Sequence, residues 1–183
     1  MAPDDVWKNR FVFPSLIDGY IKGLGDRFSD ETRRRLKAAG LDVAKMPPAI
    51  PAKEMVPYME IVASTAWPDE PRIEQLRLLG LCAIRGWQRG LLGSAASAMI
   101  RLIGPQRALT RLDRAFSTTN NFSRAKTELL GAKEALVTVN DVQDMPSYWQ
   151  GIFEAGVEML GLEGTVVVDH QTPPEATFRI TWK

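Results

Sequence analysis

The chain has 183 residues, of which 45% are hydrophobic and 25% charged, a balance that excludes a disordered polymer and suffices to bury one full core. Its 23 basic and 22 acidic groups leave a formal charge of +1, so no bulk field draws nucleic acid or an anionic membrane. One cysteine, Cys82, excludes an internal disulfide and a cysteine metal cluster.

The opening Met-Ala-Pro-Asp-Asp lacks the basic region and apolar run of a secretory signal, which makes the cytoplasm the expected location. Val12, Phe13, Leu16, Ile17, Tyr20, Ile21 and Leu24 recur at helical spacing around Pro14, with Gly25 as the stop. Ser29 caps a second helix that ends at Gly40. The run Arg33, Arg34, Arg35 and Lys37 forms its solvated face beside Asp30 and Glu31. Pro47, Pro48, Pro51 and Pro57 mark residues 46–57 as a rigid wrapped connector without helix or sheet.

A helix from about Lys53 to Ala66 follows, with Met55, Tyr58, Met59 and Val62 on one stripe, and Trp67-Pro68 breaks it. Arg72 to Ile103 reads as one long helix or two colinear ones, weakened by Gly86, Gly90 and Gly93, with a kink near Gly90. Its neighbours make Cys82 a small core residue. Gly90–Ile100, the longest weakly charged stretch, is too short to span a bilayer. Gly104-Pro105 ends this segment, Gln106–Phe116 forms one more helix, and Thr118–Asn121 turns into a sheet layer. Lys126–Asp141 reads as a strand, Pro146–Leu162 as an amphipathic helix with Asp141 and Asp144 as caps, and Gly164–His170 and Ala176–Lys183 as two strands. Thr165, Val167, Thr177, Arg179 and Thr181 alternate with Val166, Val168, Phe178, Ile180 and Trp182, so those two strands pair antiparallel with one buried face.

The expected fold is therefore α+β: an N-terminal helical layer packed on a C-terminal antiparallel sheet with one intervening helix. It forms a single domain over 1–183, mainly helical over 1–116 and strand–helix–strand–strand over 117–183. The apolar sheet face needs the helices as its cover, and a pocket between the layers is the natural site. Gly90, Gly93, Ser94, Ser97 and Ala98 make a small-residue stripe that suits tight helix packing or a ligand groove. Trp87, Met99, Phe116, Phe122, Trp149, Phe153 and Met159 supply aromatic and thioether material for core or for pocket walls. The candidate lining is Trp87, Gly90, Ser94, Met99, Phe116, Trp149 and Phe153, and the expected guest is an apolar small molecule or acyl chain.

Catalytic chemistry is not visible. His170 is the only histidine and sits beside a proline turn, expected to be partly exposed and without catalytic duty. There is no Gly-x-Ser-x-Gly elbow, His-Glu-x-x-His or calcium loop. No acid–base pair shares a site, so the chain reads as a non-enzyme. A protein-interaction subunit is the competing reading, with the same apolar material as filled core and the outer helices making a homodimer or heterodimer.

The segments RLKAAGLD, WPDEPRIEQLRLLG, LIGPQRALTRLDRAFSTTNNF and MPSYWQGIFEAGVEMLG, with VVVDH and ATFRITW behind them, resemble a paralogous family of uncharacterised myxobacterial proteins of about this length. The shared elements stand here as Leu36/Gly40/Asp42, Pro71/Leu79/Gly80 and Tyr148/Gly151/Glu154/Gly156/Trp182. The element order of the last third also resembles the fold of haem-based nitric-oxide sensor domains, vinyl-reductase-like domains and a transport-particle subunit. That resemblance implies an apolar cavity between helices and sheet that holds haem, a small aromatic or an acyl chain. The haem sensors place their axial histidine on a helix, whereas His170 lies in the terminal strand pair. The expectation is therefore no cofactor, haem and metal included, and a ligand-binding or regulatory role without nucleic acid or a membrane span.

Overall fold

The computed structural model describes residues 7–183. Met1–Asp5, taken above to carry no secretion signal, lie outside the described residues. β1 (Phe11–Val12) pairs antiparallel with β2 (Ile50–Pro51), and Val12 also bridges Asn120. α1 (Pro14–Leu24) starts on the proline, whose missing N–H is one of the donors a first turn leaves free anyway, and stops at Gly25 with φ 55°. α2 (Asp30–Ala38) is capped by the Ser29 hydroxyl, which accepts from the Thr32 N–H at 3.2 Å. Its three consecutive arginines are exposed while Thr32 and Leu36 are buried, as a solvated face requires.

α3 (Ala52–Ala66), α4 (Arg72–Gln88), α5 (Leu91–Ile103), α6 (Pro105–Leu109) and α7 (Leu112–Phe116) complete the helical layer. Behind them lies a four-stranded antiparallel sheet of order β3-β4-β6-β5, built from β3 (Ala125–Gly131), β4 (Glu134–Val139), β5 (Gly164–Thr172) and β6 (Glu175–Trp182). α8 (Pro146–Met159) crosses its inner face, where the Phe153 and Phe178 rings sit 5.0 Å apart. One hydrophobic cluster runs from Ile17 through Leu79 and Phe153 to Ile180.

The α+β class stands, with four local corrections. The proline connector is partly structured: Ile50-Pro51 is a strand, and α3 carries Pro57 inside it. The segment 72–103 is two helices, because Gly90 leaves helical geometry at ψ 153° and becomes the N-cap of α5. The helix expected over 106–116 divides at Thr110-Arg111 into α6 and α7. The single strand expected over 126–141 is a hairpin, turned at Ala132-Lys133, so the second part reads strand–strand–helix–strand–strand.

The terminal hairpin pairs as the alternation predicts, from Gly164↔Trp182 to Thr172↔Glu175, with Pro173-Pro174 as its cis-linked turn. Val166, Ala176, Phe178, Ile180 and Trp182 are buried. Val168 stays opposite Phe178 on the expected side but is 38% exposed, and the register shifts only beyond it, before His170.

α4 is the axis of the helical layer. A Cβ on Gly80 would overlap the Tyr148 carbonyl of α8, and one on Gly151 would overlap the Arg77 carbonyl of α4. The two glycines thus let the helix backbones touch. Arg77 straddles this seam, paired with Glu74 at 2.6 Å and with Glu154 across it. On its other side α4 meets α1, where Gly86 lies against the Gly19 carbonyl.

Candidate functional site

A cavity of about 470 Å³ lies beneath α5, α6 and α7, walled by α4 and α8 and floored by residues of β1 and α1 and by the end of β6. Most of its wall is apolar because each bordering helix turns its hydrophobic stripe inward. Trp87 closes one side from the last turn of α4, and Trp149 and Phe153 project from successive turns of α8. Phe116, from the end of α7, stands edge-on to Trp149 with ring centres 5.0 Å apart. Met99 borders the cavity from α5 while remaining 67% exposed, so it stands at the mouth.

Of the seven residues that the sequence suggested, the structure brings together Trp87, Met99, Phe116, Trp149 and Phe153 on this cavity. Gly90 and Ser94 do not border it. The stripe that linked them to Trp87 assumed an unbroken helix, and the break at Gly90 turns Ser94 out to solvent. Four residues that sequence reasoning left out of the site also face the cavity: Met55 and Met59 from α3, Met159 from α8, and Trp182 from β6. Their signal was present as helical or strand periodicity, but periodicity alone does not separate a pocket wall from a filled core.

The polar groups of the wall are few and specific. Ser123 is 1% exposed, and its hydroxyl is the one buried side-chain polar atom without a hydrogen-bond partner among the described residues. A hydroxyl in that position loses its water without compensation, a penalty of about 1–3 kcal/mol. It borders the cavity together with Asn120, whose side-chain oxygen accepts from the Ser123 and Phe122 N–H groups at 2.6 and 3.1 Å. Arg111 and Arg114 form a cationic rim nearby. Tyr148, buried on the inner wall, receives a hydrogen bond from the Tyr20 hydroxyl at 2.9 Å. Burial pushes both phenols well above their ordinary range, in Tyr148 against the lowering effect of the Tyr20 bond. Both are neutral donors and acceptors at ordinary pH.

Asp141 was expected to cap α8 and does not. Its carboxylate is buried against the Arg10 guanidinium and accepts from the Gln143 N–H at 2.9 Å, while α8 begins without a side-chain cap. Arg10 lies over Phe122 at 5.5 Å, so this pair fastens β1 to the loop ahead of α8. His170 is exposed, its ring bonds the Thr172 hydroxyl at 2.8 Å, and it does not border the cavity. Cys82 is half-buried against the core, and burial raises its thiol. Among the described residues no helix is long and apolar enough to cross a membrane, and no group of acidic, histidine and cysteine side chains is placed to hold a metal ion.

The architecture matches solved H-NOX structures. An oxygen-binding H-NOX domain related to soluble guanylate cyclases, in its oxygen complex, superposes with a TM-score of 0.70 at 16% identity, covering 93% of this chain and 94% of that one. A mutant H-NOX of T. Tengcongensis gives 0.68 at 16% identity, over 93% and 98%. A structure described as probing heme distortion in the H-NOX family gives 0.67 at 16%, over 93% and 94%. At these identities the likeness establishes the fold.

It also overturns the exclusion of haem drawn from the position of His170. Two of the similar H-NOX structures are described by their heme, one by its redox potential and one by its distortion. Four methionines, Met55, Met59, Met99 and Met159, border the wall, the last with its sulfur accepting from the Ser97 hydroxyl at 3.3 Å. No curated protein matches the chain. Residues 10–183 match the family described as "Protein of unknown function (DUF2378)", and the chain belongs to that family.

Proposed function

We propose that the chain is a sensory binding module, rather than a catalyst, whose cavity takes a large apolar molecule with an anionic end. The observation that carries this reading is the unpartnered Ser123 hydroxyl at the wall of a largely apolar cavity. A ligand carboxylate accepting from that hydroxyl, with Arg111 and Arg114 near it, would satisfy the buried donor and place the apolar body among Trp87, Trp149 and Phe153.

A tetrapyrrole meets this description. It is flat, apolar and carboxylated, and the H-NOX likeness supports it. Bound haem would supply an iron site for a small diatomic ligand. This chain's part would be to stack the macrocycle on its aromatic walls, offer a methionine sulfur to the iron, hold the carboxylates at the Ser123 end and exclude water. An acyl chain is the second guest that the wall supports, because flexible methionine side chains adapt to a chain as well as to a plane.

Titration of the purified chain with hemin, followed by its visible absorption, and with a long-chain fatty acid, followed by calorimetry, tests the proposal. One of them should bind saturably with one-to-one stoichiometry. Ser123→Ala should weaken that binding about tenfold while leaving the free protein as stable or more stable, by about 1 kcal/mol, since it removes an unsatisfied buried donor. Absence of saturable binding by both, or binding unchanged in Ser123→Ala, would overturn the reading.

A further inference from the structure

The charge of this chain is balanced overall and unbalanced locally. Residues 89–124, which contain α5, α6 and α7, hold six arginines, at positions 89, 101, 107, 111, 114 and 124, against one acidic residue, Asp113. All six arginines are exposed, and none takes part in an ion pair among the described residues. Elsewhere Arg10, Arg34, Arg72, Arg77, Arg85 and Arg179 are each matched by a carboxylate, while Arg27, Arg33 and Arg35 are not, the last two on a helix that also carries Asp30 and Glu31. The basic excess is therefore concentrated on the roof of the cavity.

The same roof exposes large apolar side chains. Leu91 is 89% exposed and Leu102 88%, the two most exposed of the large hydrophobic residues. With Ala95 and Ala98, both exposed, they fall at i, i+4, i+7 and i+11, which is one face of α5. The opposite face of the helix, with Ala96, Ile100 and Ile103, borders the cavity. α5 is thus apolar on two sides, and packing within the chain accounts for only one.

We propose that the outer face of α5, framed by the arginines of α5–α7, docks on an anionic lipid surface. Leucines that reach past the headgroups, ringed by arginines that meet lipid phosphates, are the arrangement by which a helix lies in a membrane interface. Charge selects this occupant over a second copy of the chain, since apposing two such faces would bring six arginines against six. Exposed leucines select it over nucleic acid, whose phosphates give an apolar stripe nothing to bury against. Arg111 and Arg114 are exposed and also border the cavity, so the docked face and the cavity mouth adjoin. Docking uses the outside of the roof and shares Arg111 and Arg114 with the proposed cavity site, so vesicle binding is measured on the chain without added ligand.

Co-sedimentation of the whole chain with vesicles of phosphatidylcholine, alone or mixed with phosphatidylglycerol, tests it. The protein should sediment with the mixed vesicles, remain free with the neutral ones and release as salt is raised. Arg107→Glu with Arg114→Glu should reduce binding more than about tenfold, and so should Leu91→Ser with Leu102→Ser. Both pairs sit on exposed positions, and unchanged circular dichroism and melting confirm that the fold survives. No sedimentation, equal sedimentation with neutral vesicles, or full retention by either variant would overturn the proposal. So would a dimer in solution that the leucine pair abolishes, or RNA binding that the arginine pair abolishes and the leucine pair leaves intact.

Discussion

α4 with its two neighbours, and the roof made by α5–α7, are both helical and adjoin in sequence, yet they are held by different physics. Along α4 the contacts are backbone to backbone, made possible by glycines whose hydrogens lie where any side chain would collide. The roof has one such contact, Gly93 against the Trp87 carbonyl, and is otherwise held by the buried Leu109 and Phe116 and by single polar ties. Arg101 donates to the Met159 carbonyl at 2.7 Å, Gln106 to the Gly131 carbonyl at 3.1 Å, and the Thr127 hydroxyl to the Leu109 carbonyl at 2.8 Å. Beneath the roof there is cavity where α4 has contact. The difference teaches where the molecule can change: a seam without side chains has no alternative packing, whereas a roof over a cavity can settle on whatever lies below it.

The largest effect should come from filling the seam. Gly151→Ala places a methyl group on the Arg77 carbonyl and should cost about 4 kcal/mol or more in denaturant unfolding, or prevent folding. A loss below 1 kcal/mol would show that the α4–α8 contact is as adaptable as the roof. Next comes the fastening of β1. Arg10→Met leaves the Asp141 carboxylate buried without its cation, a loss of about 3 kcal/mol by the same measurement.

Alkaline titration probes the rigid region differently. Tyr20 and Tyr148 ionise near pH ~10 once unfolded but well above that when buried. Their contribution is complete below about pH 10 and disappears as the pH rises toward the folded values, at up to about 1.4 kcal/mol per unit for each phenol. Tyr148→Phe should halve that slope, and an unchanged slope would place the alkaline sensitivity elsewhere. The smallest effect belongs to the roof. Gly90→Ala adds a methyl group 3.3 Å from the Trp87 carbonyl at a negative φ, and should shift stability by less than about 0.5 kcal/mol.

Much of this was legible in the chain. Period-two alternation located the terminal hairpin and its buried face, and proline and glycine placed the ends of α1 and α3 and the start of α4 within a few residues. The hairpin of β3 and β4 escaped because its turn, Ala132-Lys133, lacks the usual turn residues and only Gly131 marks it. The break at Gly90 was visible as a weak point, but whether a glycine kinks a helix or ends it depends on what packs nearby, and here Trp87 and Gly93 meet across it. Four aromatic residues and Met99 suggested five positions that now border the cavity. Ser123 was beyond reach, because a serine in a polar turn carries no sign that its hydroxyl will be sealed inside. The arginines of the roof were lost in a whole-chain balance because the rest of the chain carries more acidic than basic groups.

Three of the five tryptophans, Trp87, Trp149 and Trp182, border the cavity, while Trp7 and Trp67 do not. The wall is therefore also an optical instrument. A pigment seated there would drain the excited state of those three indoles by energy transfer, and a colourless chain would instead shift their emission by displacing water. The protein reports in its own fluorescence whether the cavity is filled, and with which kind of guest, before any label is attached.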